Sequence, residues 1–340
     1  MNDLRPIEIV GGGLAGLSLG LALRSAGVDV TIQEAGSYPR HRVCGEFITG
    51  LPASTRLRLG LSPFLIDAAQ NQEVGWFVRG VPARHQRLPS AALGLSRHAL
   101  DTRLANAFVA AGGKLVTNSR ATDSRDVPGR VFATGRRRNE GRWLGLKIHA
   151  LGLSLERDLE LHLGDYAYIG LTRIEEGRVN ICGLFRRREI AAKGAHLLKA
   201  YLIESGLSSL AKRLERAELD QHSFCAVAAV GFDRHVPPSN EVRLGDTLAM
   251  IPPFTGHGMA MAFLSAEVAL APLIAFARGC EEWPETRRVI HDLLRRRFRL
   301  RLASASALHS FLLQPSRQRW LGALNRARLL PLRPLYAALH

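Results

Sequence analysis

The sequence predicts an α/β protein: a Rossmann-type domain interleaved with a second, sheet-based domain, followed by a helical C-terminal region. Three observations predict it. Near the N-terminus an apolar strand runs straight into a glycine-rich turn, then a helix, then a strand that ends in an acid. Over residues 242–277 a strand, a Gly-Asp pair, a proline-containing loop and a glycine-led apolar helix follow one another. Between the two, short segments rich in β-branched residues alternate as half-buried strands do.

The first unit is the most informative. Ile7-Glu8-Ile9-Val10 reads as a buried strand and Leu17 to Ala26 as a helix stopped at Gly27. Val28 to Gln33 reads as a second strand, ending at Glu34. Gly11, Gly13 and Gly16 in the first turn have the G-x-G-x-x-G spacing. Gly11 permits the tight turn, Gly13 lets the backbone approach a pyrophosphate, and Gly16 lets helix and strand pack closely. The helix N-terminus offers free N–H groups and a positive dipole end to phosphates. Glu34, 18 residues after Gly16, is placed to hydrogen-bond a ribose hydroxyl. The spacing predicts dinucleotide binding and does not separate FAD from NAD.

The second unit begins at Val242-Arg243-Leu244-Gly245-Asp246 and passes through Pro252-Pro253-Phe254-Thr255 to Gly256-His257-Gly258-Met259. A long apolar helix is expected from about Met259 to Ala277. Together the two units resemble the FAD-dependent oxidoreductases of the p-hydroxybenzoate hydroxylase and geranylgeranyl reductase superfamily. The resemblance implies that FAD is the cofactor and that Asp246 binds its ribityl chain. It also implies that Gly256, Gly258 and Met259 lie beside the flavin pyrimidine, where a helix N-terminus stabilises negative charge. Leu95-Ser96-Arg97-His98-Ala99-Leu100-Asp101 resembles the family segment in which an arginine contacts FAD, which implies Arg97. Val131-Phe132-Ala133-Thr134-Gly135 resembles the strand that returns to the FAD domain.

Arg40-His41-Arg42-Val43-Cys44-Gly45-Glu46 resembles the Cys-Gly segment of geranylgeranyl reductase-like proteins, in which the cysteine lies close to the flavin. Arg40 and Arg42 would lower the Cys44 thiol pKa if they face it. Cys44 is then a candidate catalytic residue, and Arg42 a candidate contact to the FAD phosphates or ribose. His257, inside the flavin loop, is a second candidate acid or base. The other histidines show no metal-like spacing and read as surface or satisfied core residues; no metal site is expected. The aromatic hydroxylases carry Asp-Gly after the returning strand, where this chain has Thr134-Gly135. That departure weakens the case for NAD(P)H, which stays a candidate electron donor.

The segments 145–149, 168–171 and 180–184 read as strands of the substrate sheet. The FAD-binding domain is expected from residues 1–60, 92–140 and 240–280, and the substrate domain from 61–91 and 141–239. Residues 281–340 are expected to form a basic helical region.

Composition bounds the rest. The chain has 340 residues, 46% hydrophobic and 22% charged, which excludes disorder and a collagen-like fold. Its four cysteines contain no Cys-x-x-Cys pair, so a zinc ribbon is not expected and a reducing, cytoplasmic setting is. No basic region precedes an apolar leader core, and no run of about 18 uncharged apolar residues occurs. The net charge is +16, and residues His291–His340 hold ten Arg against one acid, Asp292. This clustering suits the inner face of a membrane or an acidic carrier protein. No nucleic-acid motif accompanies it.

The expected function is that of an FAD-dependent oxidoreductase on a lipophilic small molecule. A monooxygenase hydroxylating an aromatic or polyketide-type ring is preferred narrowly. A geranylgeranyl reductase-like reductase or dehydrogenase of carbon–carbon bonds is the alternative, and a non-catalytic FAD-dependent membrane adaptor the third possibility.

Overall fold

The computed structural model describes residues 4–121, 127–136, 141–230, 240–249 and 256–312, the last nine without side chains. The Pro252–Thr255 loop and the C-terminal segment from 313 onward lie outside the described residues.

In chain order the first elements are β1 (Ile7–Val10), α1 (Leu14–Ser25), β2 (Val30–Gln33), β3 (Phe47–Ile48) and α2 (Ala53–Arg58). Next come β4 (Ala69–Val78), β5 (Val81–Gly94), α3 (Arg97–Ala110), β6 (Lys114–Val116) and β7 (Arg130–Phe132). The strands β8 (Trp143–Leu151), β9 (Leu159–Gly164), β10 (Ala167–Arg173) and β11 (Val179–Arg186) follow. The chain continues through α4 (Gly194–Glu204), α5 (Ser208–Leu214), β12 (Glu218–Val230), β13 (Val242–Arg243), α6 (Gly258–Ala277) and α7 (Trp283–Leu312).

Five strands make a parallel sheet in the order β13-β7-β1-β2-β6. Its core strands are short and β-branched, as expected of strands covered on both faces. Ile7, Ile9 and Ile32 are buried with Leu17, Leu19 and Leu23 of α1 and Phe263 and Leu264 of α6. Leu61, Leu65 and Ala68 pack into the same core, which therefore extends past residue 60. Trp283, Ile290, Leu294 and Phe298 bury the inner face of α7 against it. By length and composition α6 could cross a membrane, yet it packs between α1 and α7, and its single charge, Glu267, binds Thr55 and Arg58. Burial inside the protein explains its apolarity.

Eight strands form the second sheet, in the order β12-β8-β11-β10-β9-β4-β5-β3. All neighbours are antiparallel except β4 and β9. The strands β8, β10 and β11 are legible in the sequence; the long β4–β5 hairpin is not. The segment forming β5 is rich in Ala, Arg and Pro and shows no clean alternation, so its pairing rests on the partner strand.

The two faces of the second sheet differ. On β8, Leu144, Leu146, Ile148 and Ala150 meet Leu198, Tyr201, Leu202 and Leu210 of α4 and α5. The alternate residues Gly145, Lys147 and His149 face the first domain, as the period of two requires. There they meet the segment after β2: a Cβ on Gly145 would press on Val43, and Asn180 Nδ2 of β11 donates to the Cys44 carbonyl at 3.0 Å. This face-to-segment contact encloses the cleft described next.

Candidate functional site

Gly11 and Gly16 close the turn against its neighbours, as their spacing predicts. Gly11 has φ +111°, and a Cβ there would collide with the Ala133 carbonyl of the strand beside it. A Cβ on Gly16 would collide with the Gly11 carbonyl oxygen. Gly13 differs: a Cβ there meets only the Arg97 guanidinium, at 3.8 Å. The loop is thus closed against the protein on one side and open, beside a cation, on the other.

Glu34 is buried at the end of β2 and accepts from the Gly12 N–H at 2.8 Å and the Gly36 N–H at 2.9 Å. Arg40 binds it at 2.8 Å, and Arg42 lies 3.8 Å away. Burial would raise its carboxyl pKa; the charge of Arg42, the two N–H bonds and Arg40 more than offset this and hold it below the ordinary value. Tyr38 donates to the Gly12 carbonyl and roofs the loop.

Arg97 opens α3. Its Nε and Nη2 each donate to Asp101 at 2.7 Å, a bidentate pair that fixes the fork. Ser96 caps this helix, its hydroxyl accepting from the Ala99 N–H at 3.0 Å. Arg42 Nε lies 3.3 Å from the same Asp101 carboxylate. Two arginines therefore flank the glycine loop, Arg42 turned to Asp101 and Glu34, Arg97 next to Gly13.

Gly245-Asp246 brings in the third segment. The Gly245 N–H donates to Ser265 Oγ of α6 at 2.9 Å, and a Cβ on Gly245 would lie 3.4 Å from Ala15 of α1. Asp246 is exposed, yet the protein packed around it pushes its carboxyl up, against the opposing charges of Arg97 and Arg136. Thr247 Oγ1 accepts from the Gly135 N–H at 2.8 Å, so the Thr134-Gly135 turn borders the same cleft. At the start of α6, a Cβ on Gly256 would collide with the Phe47 ring, while Gly258 has open space around it. Met259 and His257 are buried. A dinucleotide fits this set of residues: an open glycine turn with an arginine beside it, a carboxylate at the end of β2, an aspartate in the field of that arginine and a helix start. Asp246→Ala is expected to weaken FAD binding by more than the roughly 1 kcal/mol of an ordinary hydrogen bond, measured by flavin titration.

Cys44 is partly buried next to this cleft. Its thiol is pushed up by burial; Arg97 opposes this, and Glu46 and Asp246 reinforce it. The expectation that Arg40 and Arg42 lower it is therefore corrected. Those two side chains turn back to Glu34 and Asp101, and the cation that reaches the sulfur is Arg97.

Behind Cys44 lies a cluster that spacing did not reveal. Glu46, Lys147 and His149 are all fully buried. Glu46 Oε2 is 2.5 Å from His149 Nε2, and Oε1 is 3.4 Å from Lys147 Nζ. Lys147 Nζ is 3.2 Å from His41 Nδ1, and the His41 ring stacks on His98 at 4.4 Å. Burial opposes the Glu46 charge, but the His149 hydrogen bond and the Lys147 charge hold its carboxyl below the ordinary value. Cys182 of β11 and Cys225 of β12 flank Lys147 in the sheet register. His149, hydrogen-bonded in the interior, is a core histidine as expected, but burial also gathers His41 and His98 beside it around one ion pair, which chain spacing did not show. Lys147 and His149, two polar residues on one face of an apolar strand, were the available signal. His257, the histidine singled out instead, is buried at the N-terminus of α6. Among the described residues no group of three His, Cys, Asp or Glu side chains could hold a metal.

Burial and the Lys147 charge lower His41 from 6.5 to about 4, with His98 and His149 adding to the effect. A histidine whose folded pKa is depressed stabilises the fold above its unfolded value. That contribution is lost as pH falls from 6.5 towards 4. His41→Gln is expected to flatten the loss of thermal stability across that window.

No family model matches the chain. It is similar in structure to a p-nitrophenol 4-monooxygenase from Pseudomonas putida, with TM-score 0.76 and 15% identity over 100% of this chain and 97% of the other. A geranylgeranyl bacteriochlorophyll reductase-like protein from Thermoplasma acidophilum gives TM-score 0.75 and 16% identity, covering 98% and 95%. The flavin-dependent brominase Bmp2 gives 0.74 and 16%, covering 98% and 92%. The chain thus has the fold of flavin-dependent monooxygenases and geranylgeranyl reductase-like proteins. In sequence it is 26% identical over 138 residues to a menaquinone reductase of Mycolicibacterium smegmatis. That match spans 39% of this chain and 34% of the reductase.

Proposed function

We propose that the chain binds FAD and acts as a monooxygenase that hydroxylates a lipophilic aromatic or polyketide-type molecule. The observation that carries the cofactor assignment is the convergence of Gly13, Arg97 and Asp246, from three distant segments, on one cleft. When bound, FAD supplies two-electron transfer and oxygen activation. The chain supplies the rest. Gly13 and the N-terminus of α1 receive the pyrophosphate, Glu34 a ribose and Asp246 the ribityl chain. The start of α6 provides its dipole to the flavin pyrimidine.

A lipophilic substrate suits the sheet face beside the cleft. Tyr168, Leu163, Leu184 and Val230 form an apolar cluster joined by Trp76 and Trp143. Leu184 shares its side of β11 with Cys182, opposite Lys147. The p-nitrophenol 4-monooxygenase among the structural neighbours acts on such a ring.

One observation favours a second reading, a reductase of carbon–carbon bonds. The Cys44 thiol retains its proton and can donate it where a hydride acceptor needs one; the menaquinone reductase likeness points the same way. Turnover under ¹⁸O₂ with lipophilic phenols and prenylated quinones separates the two. One labelled oxygen in the product supports the monooxygenase. A saturated product without label establishes the reductase instead. NAD(P)H is one candidate donor in either case.

The exposed Arg295, Arg296, Arg297 and Arg299 of α7, with exposed Leu293 and Leu300, support a peripheral role at the inner face of a membrane or against an acidic carrier protein in the cytoplasm.

A further inference from the structure

We propose that Glu46 is a positioning residue, which sets the Cys44 thiol and the start of the Arg97 helix against each other and offsets the charge of Arg97 at the sulfur. The proposal deepens the flavin reading and rests on Cys44 bordering the reacting centre.

Glu46 makes a dense set of attachments. Its N–H donates to Cys44 Sγ at 3.4 Å, and its carbonyl accepts from the Leu95 N–H at 3.1 Å. Its Oε1 accepts from the Arg97 N–H at 3.0 Å and lies 3.4 Å from Lys147 Nζ, while Oε2 is held by His149. One residue thus ties the cysteine segment, the α3 start and the substrate sheet together. It does so with φ +52°, a left-handed conformation that non-glycine residues adopt only when their surroundings enforce it.

A tie alone needs only hydrogen-bond acceptors, which a neutral amide also has. Burying a carboxylate is unfavourable unless its charge is matched. Lys147 lies at Oε1 and His149 at Oε2, and the field of the carboxylate also acts on Cys44. The groups that face the sulfur are Arg97 from α3, Asp246 from the turn after β13, Cys182 from β11 and Glu46 itself. Arg97 sits where a phosphate-binding cation is wanted, and acting alone it would favour the thiolate. Glu46 and Asp246 oppose that, so the proton stays on sulfur beside the cleft.

The experiment is a pH titration of the S–H stretching band of Cys44 in the holoprotein. Infrared difference spectra against Cys44→Ser isolate that band from the other three thiols. In the parent, the band is expected to persist above the ordinary thiol range. In Glu46→Gln its loss should move down by roughly one pH unit. Glu46→Asp keeps the charge and should return the midpoint towards the parent. A purely structural tie predicts otherwise, with the charge-keeping variant no better than the amide. An unchanged midpoint in Glu46→Gln, or an equal shift in both variants, overturns the proposal. Should Glu46→Gln fail to fold, the parent decides: a band lost within or below the ordinary thiol range overturns it. A protein without FAD that still shows the shift would defeat the flavin reading and leave the Glu46 assignment standing.

Discussion

Gly13→Val is expected to give a folded, colourless protein. A side chain at this position enters the open space in front of Arg97, where the pyrophosphate is placed, and meets no backbone. FAD content after gel filtration should fall at least tenfold relative to the parent, with little change in the far-ultraviolet circular dichroism. Gly16→Val is the control. Its Cβ collides with the Gly11 carbonyl, so that variant should fail to fold rather than merely lose flavin. A Gly13→Val protein that retains FAD would show that the phosphates lie elsewhere.

Lys147→Met is expected to cost about 3–5 kcal/mol of stability, because it leaves Glu46 buried with its cationic partner removed. Both side chains are wholly inaccessible, so water cannot compensate. Pairing Lys147→Met with Glu46→Gln should recover a large part of the loss, since the uncompensated charge is then gone as well. Denaturant unfolding of the two single variants and the double variant measures the coupling. Additive losses would mean that the two groups do not act as a pair.

Much of the cofactor cleft is legible without coordinates because its requirements are local. Gly11 must have φ +111°, and a strand, a turn and a helix must follow one another within a few residues, so the whole device is written in one short segment. The Gly245-Asp246 unit and the helix after it are legible for the same reason. Arg97 is singled out by the family resemblance of its segment, whereas the Ser96 cap and the place of the arginine beside Gly13 are seen only in the structure. The Cys44 environment is not legible. Its chain neighbours Arg40 and Arg42 suggest an acidic thiol, but the backbone directs both towards Glu34 and Asp101. Chain proximity is a poor guide to the field at a side chain when a turn separates directions.

By itself, then, the sequence determined the α/β class and the two glycine-led units, because each depends on backbone geometry over a handful of consecutive residues. Only the tertiary structure decided which polar groups share a burial site. Glu46 meets Lys147 and His149 across about a hundred residues of chain, through the packing of the segment after β2 on one face of the second sheet. That same packing brings Cys44, Cys182 and Cys225 around the pair, although their spacing in the chain shows no relation. Strand register, set by pairing between distant segments, selects the face on which Lys147 stands, and burial then makes its partner matter.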